Sequence, residues 1–125
     1  MKSQNFFVSL RNAASGVVYA LASERNMKIH LVATLLVIAA GLFFGLNRVE
    51  WSFIILTVSA VWATEILNSS LEELVDLISP QYDIRAGRVK NLSAGAVLVA
   101  VLGSVFIGIM IFGPRVICWL EGFSR

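Results

Sequence analysis

Four polar side chains recur along one stretch of the chain at a spacing that would let them act together. They are Glu65, Asn68, Glu72 and Asp76. On a helix that turns about 100° per residue, these positions share a stripe about 80° wide. The stretch continues an apolar run that opens at Trp51 and is long enough to enter a membrane. Because a charged group at the centre of a bilayer costs about 3 kcal/mol, such groups usually mark function. The stripe is our candidate active site.

Phosphoryl transfer is the first chemistry that such a stripe would support. It needs a divalent cation, a carboxylate that orients or deprotonates the attacking hydroxyl, and a positive charge that balances the phosphates. Magnesium prefers carboxylate oxygens and water, and one or two carboxylates suffice when substrate phosphates complete its shell. Three acids and an amide on one face therefore favour a kinase-like enzyme.

Two other classes of function are compatible with acidic residues in a membrane segment. A small multidrug or proton-coupled transporter also places a glutamate within a span, although a transport glutamate does not need Asn68, Glu72 and Asp76 beside it. A holin-like or scaffold protein uses polar residues to hold helices together, but one or two residues per helix usually serve that purpose. Both alternatives explain the stripe less fully than phosphoryl transfer does.

The composition indicates an integral membrane protein of one small domain. Of the 125 residues, 58% are hydrophobic and 14% are charged, which is unsuited to a soluble domain of this size. The formal charge of +2 is small and the Lys and Arg residues are scattered, so we expect no nucleic-acid partner. Cys118 is the only cysteine, which excludes a disulfide within the chain. Residues 1–24 lack the continuous apolar core of a cleavable signal peptide.

The apolar pattern predicts an all-α fold with an N-terminal surface helix and three transmembrane helices. Residues 4–28 mix apolar positions at roughly helical spacing with small and polar ones, which is typical of an amphipathic helix on the membrane surface. A soluble helix packed on the rest of the protein is the alternative. Residues 24–28 are expected to form a polar hinge. The predicted spans are 29–46, 51–77 and 91–112, separated by a short turn and by a loop over 79–90, and the third ends at Gly113-Pro114.

The residues of the stripe lie at different depths along the second span, which suggests different roles for them. Glu65 lies about 21 Å beyond Trp51 and Glu72 about 31 Å beyond it, in a hydrocarbon layer about 30 Å thick. Glu65 is therefore placed to reach the hydroxyl of a lipid whose tail stays in the bilayer. Glu72 and Glu24 lie at the boundary, where each would supply a carboxylate to Mg²⁺, and Lys90 at the mouth of the third span would meet phosphate.

The distribution of Lys and Arg predicts the orientation. Seven lie on the side of the N-terminus and the second loop, and three lie on the opposite side. The seven are Lys2, Arg11, Arg25, Lys28, Arg85, Arg88 and Lys90, and the three are Arg48, Arg115 and Arg125. The N-terminus should therefore face the cytoplasm, and the stripe should open where ATP and magnesium are available. The chain has no P-loop or protein-kinase motif, so an ATP site would have to be built at the membrane boundary. Because three spans cannot fully enclose a polar stripe, we expect oligomerisation.

Three blocks of sequence carry a resemblance to a known family. They are Glu24-Arg25-Asn26 with Ile29-His30, Glu65-Ile66-Leu67-Asn68-Ser69 with Glu72 and Val75-Asp76, and Gly87-Arg88-Val89-Lys90. With these blocks the chain resembles the small prokaryotic diacylglycerol kinase and undecaprenol kinase family, from about Leu10 to Val101. The first block looks more like the undecaprenol kinase branch.

The resemblance implies a homotrimer of three-span subunits in the bacterial plasma (inner) membrane, with active sites shared between subunits. The implied reaction is phosphorylation of a lipid alcohol by Mg²⁺-ATP, with undecaprenol expected and diacylglycerol as the alternative. In the family, the glutamate matching Glu65 is taken as the catalytic base, and those matching Glu24 and Glu72 hold metal and nucleotide phosphates. Lys90 and the residue after it, Asn91, match ATP contacts.

The resemblance also extends to further members of the site. Tyr82 and Asp83 match a loop that contacts ATP, and Asn12 lies near where the proteobacterial branch has an aromatic nucleotide contact. Asn91 departs from the family pattern, which has an aspartate, so nucleotide affinity or metal balance could differ there. Along the stripe, Asn68 is expected to orient its neighbours and Asp76 to be the outermost member.

Two further polar residues are assigned no role from the sequence. Glu73 lies about 80° around the helix from Glu65, so we interpret it as interfacial. His30 is expected to be a hydrogen-bonded or solvated residue at the membrane interface.

Overall fold

The computed structural model describes residues 5–81 and 83–123, and every regular element within them is a helix. The helices are α1 (Phe6–Ser23), α2 (Arg25–Phe44), α3 (Arg48–Ile78) and α4 (Ile84–Phe123). By length and composition, α2, α3 and α4 are each able to cross a membrane. The predicted fold, a small all-α membrane protein with three spans after an N-terminal helix, is confirmed.

A single residue separates the surface helix from the first span. Glu24 has extended backbone angles, with φ −90° and ψ 126°, and its N–H donates to Ala20 O at 2.9 Å. The hinge expected over 24–28 is therefore shorter than predicted. Residues 25–28 contain neither glycine nor proline, so nothing prevents them from forming the first turn of α2.

The turn between α2 and α3 is fixed by two local devices. Gly45 ends α2 in the left-handed conformation, with φ 66°, which glycine adopts without a steric penalty. Asn47 then begins α3 with a capping box: its Oδ1 accepts from Glu50 N at 3.0 Å, and its N–H donates to Glu50 Oε2 at 2.9 Å. The helix therefore begins at Arg48, three residues before the predicted span.

The last helix is longer at both ends than the predicted span. Asp83 caps its start, because its Oδ1 accepts from Arg85 N at 2.6 Å, so the expected loop over 79–90 is helical from Ile84 onward. The helix also continues through Pro114, where the sequence predicted its end. Arg115 Nη1 donates to Ile111 O at 2.9 Å. Proline is tolerated in membrane-spanning helices when neighbouring groups satisfy the carbonyls that it leaves free.

Tertiary packing is concentrated between α3 and α4, with α2 lying against α3. A small buried cluster of Leu46, Ile54 and Ile111 lies near the α2–α3 turn. Many large apolar side chains of the three span helices are exposed instead. An aqueous protein would bury such a surface, whereas lipid tails solvate it. The polar residues described next are the exceptions, because several of them are buried.

Candidate active site

Glu65 is the most enclosed ionisable side chain of the stripe. The residue is 1% exposed, in the middle of α3. Its Oε2 lies 3.8 Å from Nε2 of His30, whose side chain is 17% exposed. These atoms form an ion pair when the imidazole is protonated, and they lie beyond direct hydrogen-bond distance. His30, which was expected at the interface without a role, thus lies beside the predicted base.

A second polar contact fixes α2 against α3 one turn further along. Trp62 Nε1 donates to Thr34 Oγ1 at 3.1 Å, and Thr34 Oγ1 donates to the carbonyl of His30 at 2.7 Å. His30 and Thr34 are four residues apart on α2, and Glu65 and Trp62 are three apart on α3. The two contacts between these antiparallel helices are therefore one helical turn apart. Together they keep the imidazole beside the carboxylate.

Asn68 connects the stripe to α4. Its Nδ2 donates to Glu72 Oε1 at 3.3 Å, and its Oδ1 accepts from Ser93 Oγ at 2.7 Å. Asn68 and Ser93 are both buried, so the bond between them satisfies an amide oxygen that is shielded from solvent, and Ser93 Oγ also lies 2.9 Å from Lys90 O. The orienting role of Asn68 stays a prediction, and these two hydrogen bonds are the contacts through which it would act. Ser93 was not predicted as a site residue, although it opens the run of small residues at the start of the third span.

The outer end of the stripe carries an ion pair. Lys90 Nζ lies 2.5 Å from Asp76 Oδ1, and the pair is largely exposed to solvent. Asn91 is also exposed beside it. An exposed pair of this kind contributes at most about 1 kcal/mol, so Lys90 is able to exchange Asp76 for a phosphate.

Glu24 and Glu72 lie on different sides of α3 within one chain. Glu24 borders a cavity of about 240 Å³ between α1 and α3, together with Ser69 and Glu73, whereas Glu72 lies beside Asn68 on the side of α4. Ser69 Oγ is buried in that cavity wall without a hydrogen-bond partner among the described residues. A buried hydroxyl without a protein partner usually binds a water molecule or a ligand.

The surface helix is tied to the stripe helix beside this cavity. Tyr19 Oη donates to Glu73 Oε1 at 3.0 Å. The pKa of Tyr19 is raised, first by this hydrogen bond and then by the negative charge of Glu73, with smaller contributions from burial and from Glu24. Glu73, assigned no role from the sequence, therefore anchors α1.

Asp83 and Asn12, two further predicted nucleotide contacts, form their hydrogen bonds within their own segments. Asp83 caps α4 and its carbonyl accepts from Gly87 N at 2.9 Å. Asn12 is exposed on α1, where its carbonyl accepts from Ser15 Oγ at 2.7 Å. Tyr82 lies outside the described residues. Neither Asp83 nor Asn12 contacts the stripe within the described part of the chain.

The donor chemistry of the site suits magnesium as a partner of phosphate. Residues 5–81 and 83–123 contain no group of three or more His, Cys, Asp or Glu residues around one point. Glu24 and Glu72 nevertheless offer hard carboxylate oxygens, and the unpartnered Ser69 hydroxyl is a further oxygen close to Glu24. Magnesium commonly takes one or two carboxylates and completes its shell with phosphates and water. The donor types therefore suit a phosphate-bound magnesium, although Glu24 and Glu72 do not converge on one ion within a single chain.

Known proteins resemble this chain over most of its length. The family model described as prokaryotic diacylglycerol kinase matches residues 11–112. An undecaprenol kinase from Bacillus subtilis is 34% identical over 110 residues, which covers 88% of this chain and 89% of the relative. A diacylglycerol kinase from Synechocystis is 38% identical over 105 residues, covering 83% of this chain and 60% of the relative. The Escherichia coli K12 diacylglycerol kinase is 31% identical over 90 residues, covering 72% and 74%.

These matches include every helix that carries the stripe and its partners. The residues alone left three classes of function open. The matches favour the enzyme class, because the matched proteins are kinases of lipids rather than transporters or scaffolds. A kinase of this kind uses ATP. The chain belongs to the prokaryotic diacylglycerol kinase family and is a membrane-embedded lipid kinase.

Proposed function

We propose that this lipid kinase transfers the γ-phosphate of ATP to the hydroxyl of undecaprenol at the cytoplasmic face of the bacterial plasma (inner) membrane. The observation that carries the proposal is the buried carboxylate of Glu65 in the middle of a membrane-spanning helix, at the wall of a cavity that also reaches His30 and Asn26. A carboxylate at this depth is placed to meet the hydroxyl of a lipid whose tail stays in the bilayer.

Glu65 is the proton acceptor in the proposed reaction. It takes the proton of the lipid hydroxyl while the lipid oxygen forms a bond to the γ-phosphorus. The bond between that phosphorus and the bridging oxygen breaks, and ADP leaves with the electron pair. Asn68 donates to Glu72 and accepts from Ser93, which keeps the Glu72 carboxylate in a fixed position during the transfer.

The polar groups nearer the membrane boundary bind the nucleotide. Glu24 and Glu72 would hold Mg²⁺, which balances the charge of the phosphates when it is bound. Lys90 exchanges its exposed partner Asp76 for a phosphate oxygen. Asn91 adds a further contact to ATP.

Three peripheral residues complete the proposed nucleotide site. Tyr82 and Asp83 border the nucleotide at the start of α4, and Asn12 borders it on α1.

A homotrimer with shared sites is part of the proposal. Glu24 and Glu72 lie on different sides of α3 in a single chain, so a site that uses both carboxylates is completed more directly by a neighbouring subunit. The exposed apolar surface of the spans leaves room for such a neighbour.

Diacylglycerol is the second candidate substrate. The Synechocystis relative, at 38% identity, is named a diacylglycerol kinase, whereas the Bacillus subtilis relative at 34% is named an undecaprenol kinase. We favour undecaprenol because the Glu24-Arg25-Asn26 and Ile29-His30 pattern resembles that branch.

Replacement of Glu65 tests the proposed reaction. Purified protein in lipid vesicles with undecaprenol and γ-labelled ATP is expected to label the lipid. Glu65→Gln should lower turnover by at least about 1,000-fold, because the amide cannot accept the proton, while the protein still folds. Glu73→Gln is the matched control, since Gln keeps an acceptor for Tyr19, and it should retain turnover. Undiminished labelling by Glu65→Gln would remove Glu65 from the base role.

A further inference from the structure

We propose that His30 holds the lipid hydroxyl: its Nε2–H donates a hydrogen bond to the same oxygen from which Glu65 takes the proton. This inference rests on the proposed lipid kinase function and adds a second substrate-binding group to its site. His30 is then a catalytic residue in the strict sense, because it touches the attacking atom.

The distance between the two side chains fits an oxygen held between them. His30 Nε2 and Glu65 Oε2 are 3.8 Å apart, which is too long for a hydrogen bond between them. An oxygen about 2.8 Å from each atom spans this gap with an angle of about 85° at the oxygen. A hydroxyl has one proton to donate and lone pairs to accept with, so it satisfies the carboxylate and the imidazole together. One lone pair remains for the attack on phosphorus.

Burial makes this pairing necessary for Glu65. Within residues 5–81 and 83–123, the approach of His30 Nε2 at 3.8 Å is the one polar contact found for the Glu65 carboxylate. A buried carboxylate that lacks hydrogen bonds is costly, and the lipid hydroxyl supplies one. Both the neutral Nε2–H tautomer and the imidazolium are able to donate, so the assignment does not depend on the charge of His30.

The imidazole lies at the junction of two mostly apolar cavities. One, of about 280 Å³, is bordered by His30, Glu65 and Leu98. The other, of about 260 Å³, extends from His30 past Trp62 to Gly108. An alcohol that places its oxygen between His30 and Glu65 therefore has space for the carbon atoms next to that oxygen.

The contact between Trp62 and Thr34 keeps this geometry rigid. It lies one helical turn from the His30–Glu65 pair, so α2 cannot slide along α3 without breaking it. A fixed donor aimed at a reacting oxygen lowers the barrier without reorganisation during the reaction.

Three substitutions of His30 form the test, with phosphate transfer to undecaprenol in vesicles as the readout. Gln places an N–H at the position of Nε2, Asn places one at the position of Nδ1, and Ala has none. His30→Ala and His30→Asn should lower kcat/KM for the lipid by about 100-fold. His30→Gln should have a kcat/KM for the lipid within about tenfold of the wild-type value. The KM for ATP should stay unchanged in all three variants.

Several results would overturn the assignment. Full activity of His30→Ala would show that the imidazole does not hold the hydroxyl. Equal recovery by Asn and Gln would contradict a role for Nε2 in particular, and a rise in the KM for ATP would place His30 in the nucleotide site. A wild-type protein that labels no lipid alcohol would instead refute the proposed function, so the two failures are distinguishable.

Nuclear magnetic resonance provides a measurement that needs no variant. His30 is the single histidine of the chain, so its ¹⁵N resonances are unambiguous in the intact protein. Adding a polyprenol without ATP should shift the Nε2 resonance, whereas the corresponding hydrocarbon without a hydroxyl should not. Identical spectra with both compounds would contradict the proposed hydrogen bond.

Discussion

At the scale of single residues, the proposed function divides the stripe into a lipid end at Glu65 and a nucleotide end at Glu72. Glu65 is buried beside His30, whereas Glu72 is half-buried and receives a hydrogen bond from Asn68. The environment of each carboxylate therefore differs although both belong to one helix face. Burial suits a base that acts on a membrane alcohol, and partial exposure suits a ligand for a hydrated cation.

Glu72→Ala tests the nucleotide end. If Glu72 holds magnesium, its loss should raise the Mg²⁺ concentration needed for half-maximal turnover by about tenfold. The Mg²⁺ titration is measured at saturating undecaprenol, with Glu73→Gln as the control that should follow the wild-type curve. An unchanged requirement in Glu72→Ala would argue against a metal contact there.

Ser93→Ala tests the connection between the stripe and α4. The substitution leaves the buried Oδ1 of Asn68 without its donor at 2.7 Å, which should cost about 1–3 kcal/mol of stability. The thermal unfolding midpoint should fall for Ser93→Ala and stay unchanged for Ser59→Ala, an exposed serine on α3. Equal midpoints for both variants would mean that this hydrogen bond contributes nothing to the fold.

At the scale of helices, the two glycines near the end of α2 serve different purposes. Gly45 provides the left-handed cap, whereas Gly41 gives room for the indole of Trp51. A Cβ at position 41 would lie 2.5 Å from the Trp51 ring. Glycine is therefore required at position 41 by one close contact and at position 45 by the turn.

Gly41→Ala should therefore destabilise the α2–α3 pair. Trp51 packs against the buried cluster of Leu46, Ile54 and Ile111, so its ring cannot move without disturbing that cluster, and the expected cost is about 1–3 kcal/mol. Gly103→Ala is the control, because a Cβ there meets nothing within 4 Å. Thermal unfolding in detergent should separate the two variants, and equal midpoints would contradict the crowding at Gly41.

The anchor of the surface helix should depend on pH in the alkaline range. The raised pKa of Tyr19 means that the neutral hydroxyl is favoured in the folded protein. Its stabilising contribution is present below the unfolded pKa of about 10 and is lost as the pH rises through the higher folded value. A spin label at Val8→Cys, in a Cys118→Ser background, should become more mobile over that range. Tyr19→Phe should be mobile at every pH, and a rigid label in Tyr19→Phe would exclude the anchor.

Sequence patterns predicted the helices better than the contacts between them. The spans follow from uninterrupted apolar runs, and the stripe follows from helical spacing within α3. The pairing of His30 with Glu65 joins residues on different helices, so no local spacing signals it. The continuation of α4 through Pro114 is not signalled by the Gly113-Pro114 pattern, because a proline that would end a helix in water is tolerated within a membrane-spanning helix. The separation of Glu24 from Glu72 around α3 likewise appears only in three dimensions.

At the scale of the whole molecule, one chain presents an incomplete kinase site. Its base and its orienting amide lie together, but the two proposed metal ligands lie on different sides of α3. The lipid-facing spans also leave much apolar surface exposed. Both features favour an assembly in which neighbouring chains complete one another.

Mixing inactive variants tests for shared sites. If Glu24 and Glu65 of one site come from different subunits, a mixed trimer of Glu24→Ala and Glu65→Gln subunits restores one of its three sites, or about a third of the wild-type activity. Each variant alone should be inactive. Activity in the mixture is measured after the two forms are co-expressed and purified together through different tags. No recovery would mean that both residues of a site come from one chain.

The comparison of two lipid alcohols tests the central claim most directly. The wild-type protein is placed in vesicles that contain undecaprenol or diacylglycerol at equal mole fraction, and transfer of labelled phosphate from ATP is followed in each. We predict that undecaprenol is labelled and that its kcat/KM exceeds that of diacylglycerol by at least about tenfold. Faster labelling of diacylglycerol would contradict the proposed substrate, and labelling of neither lipid would contradict the proposed reaction.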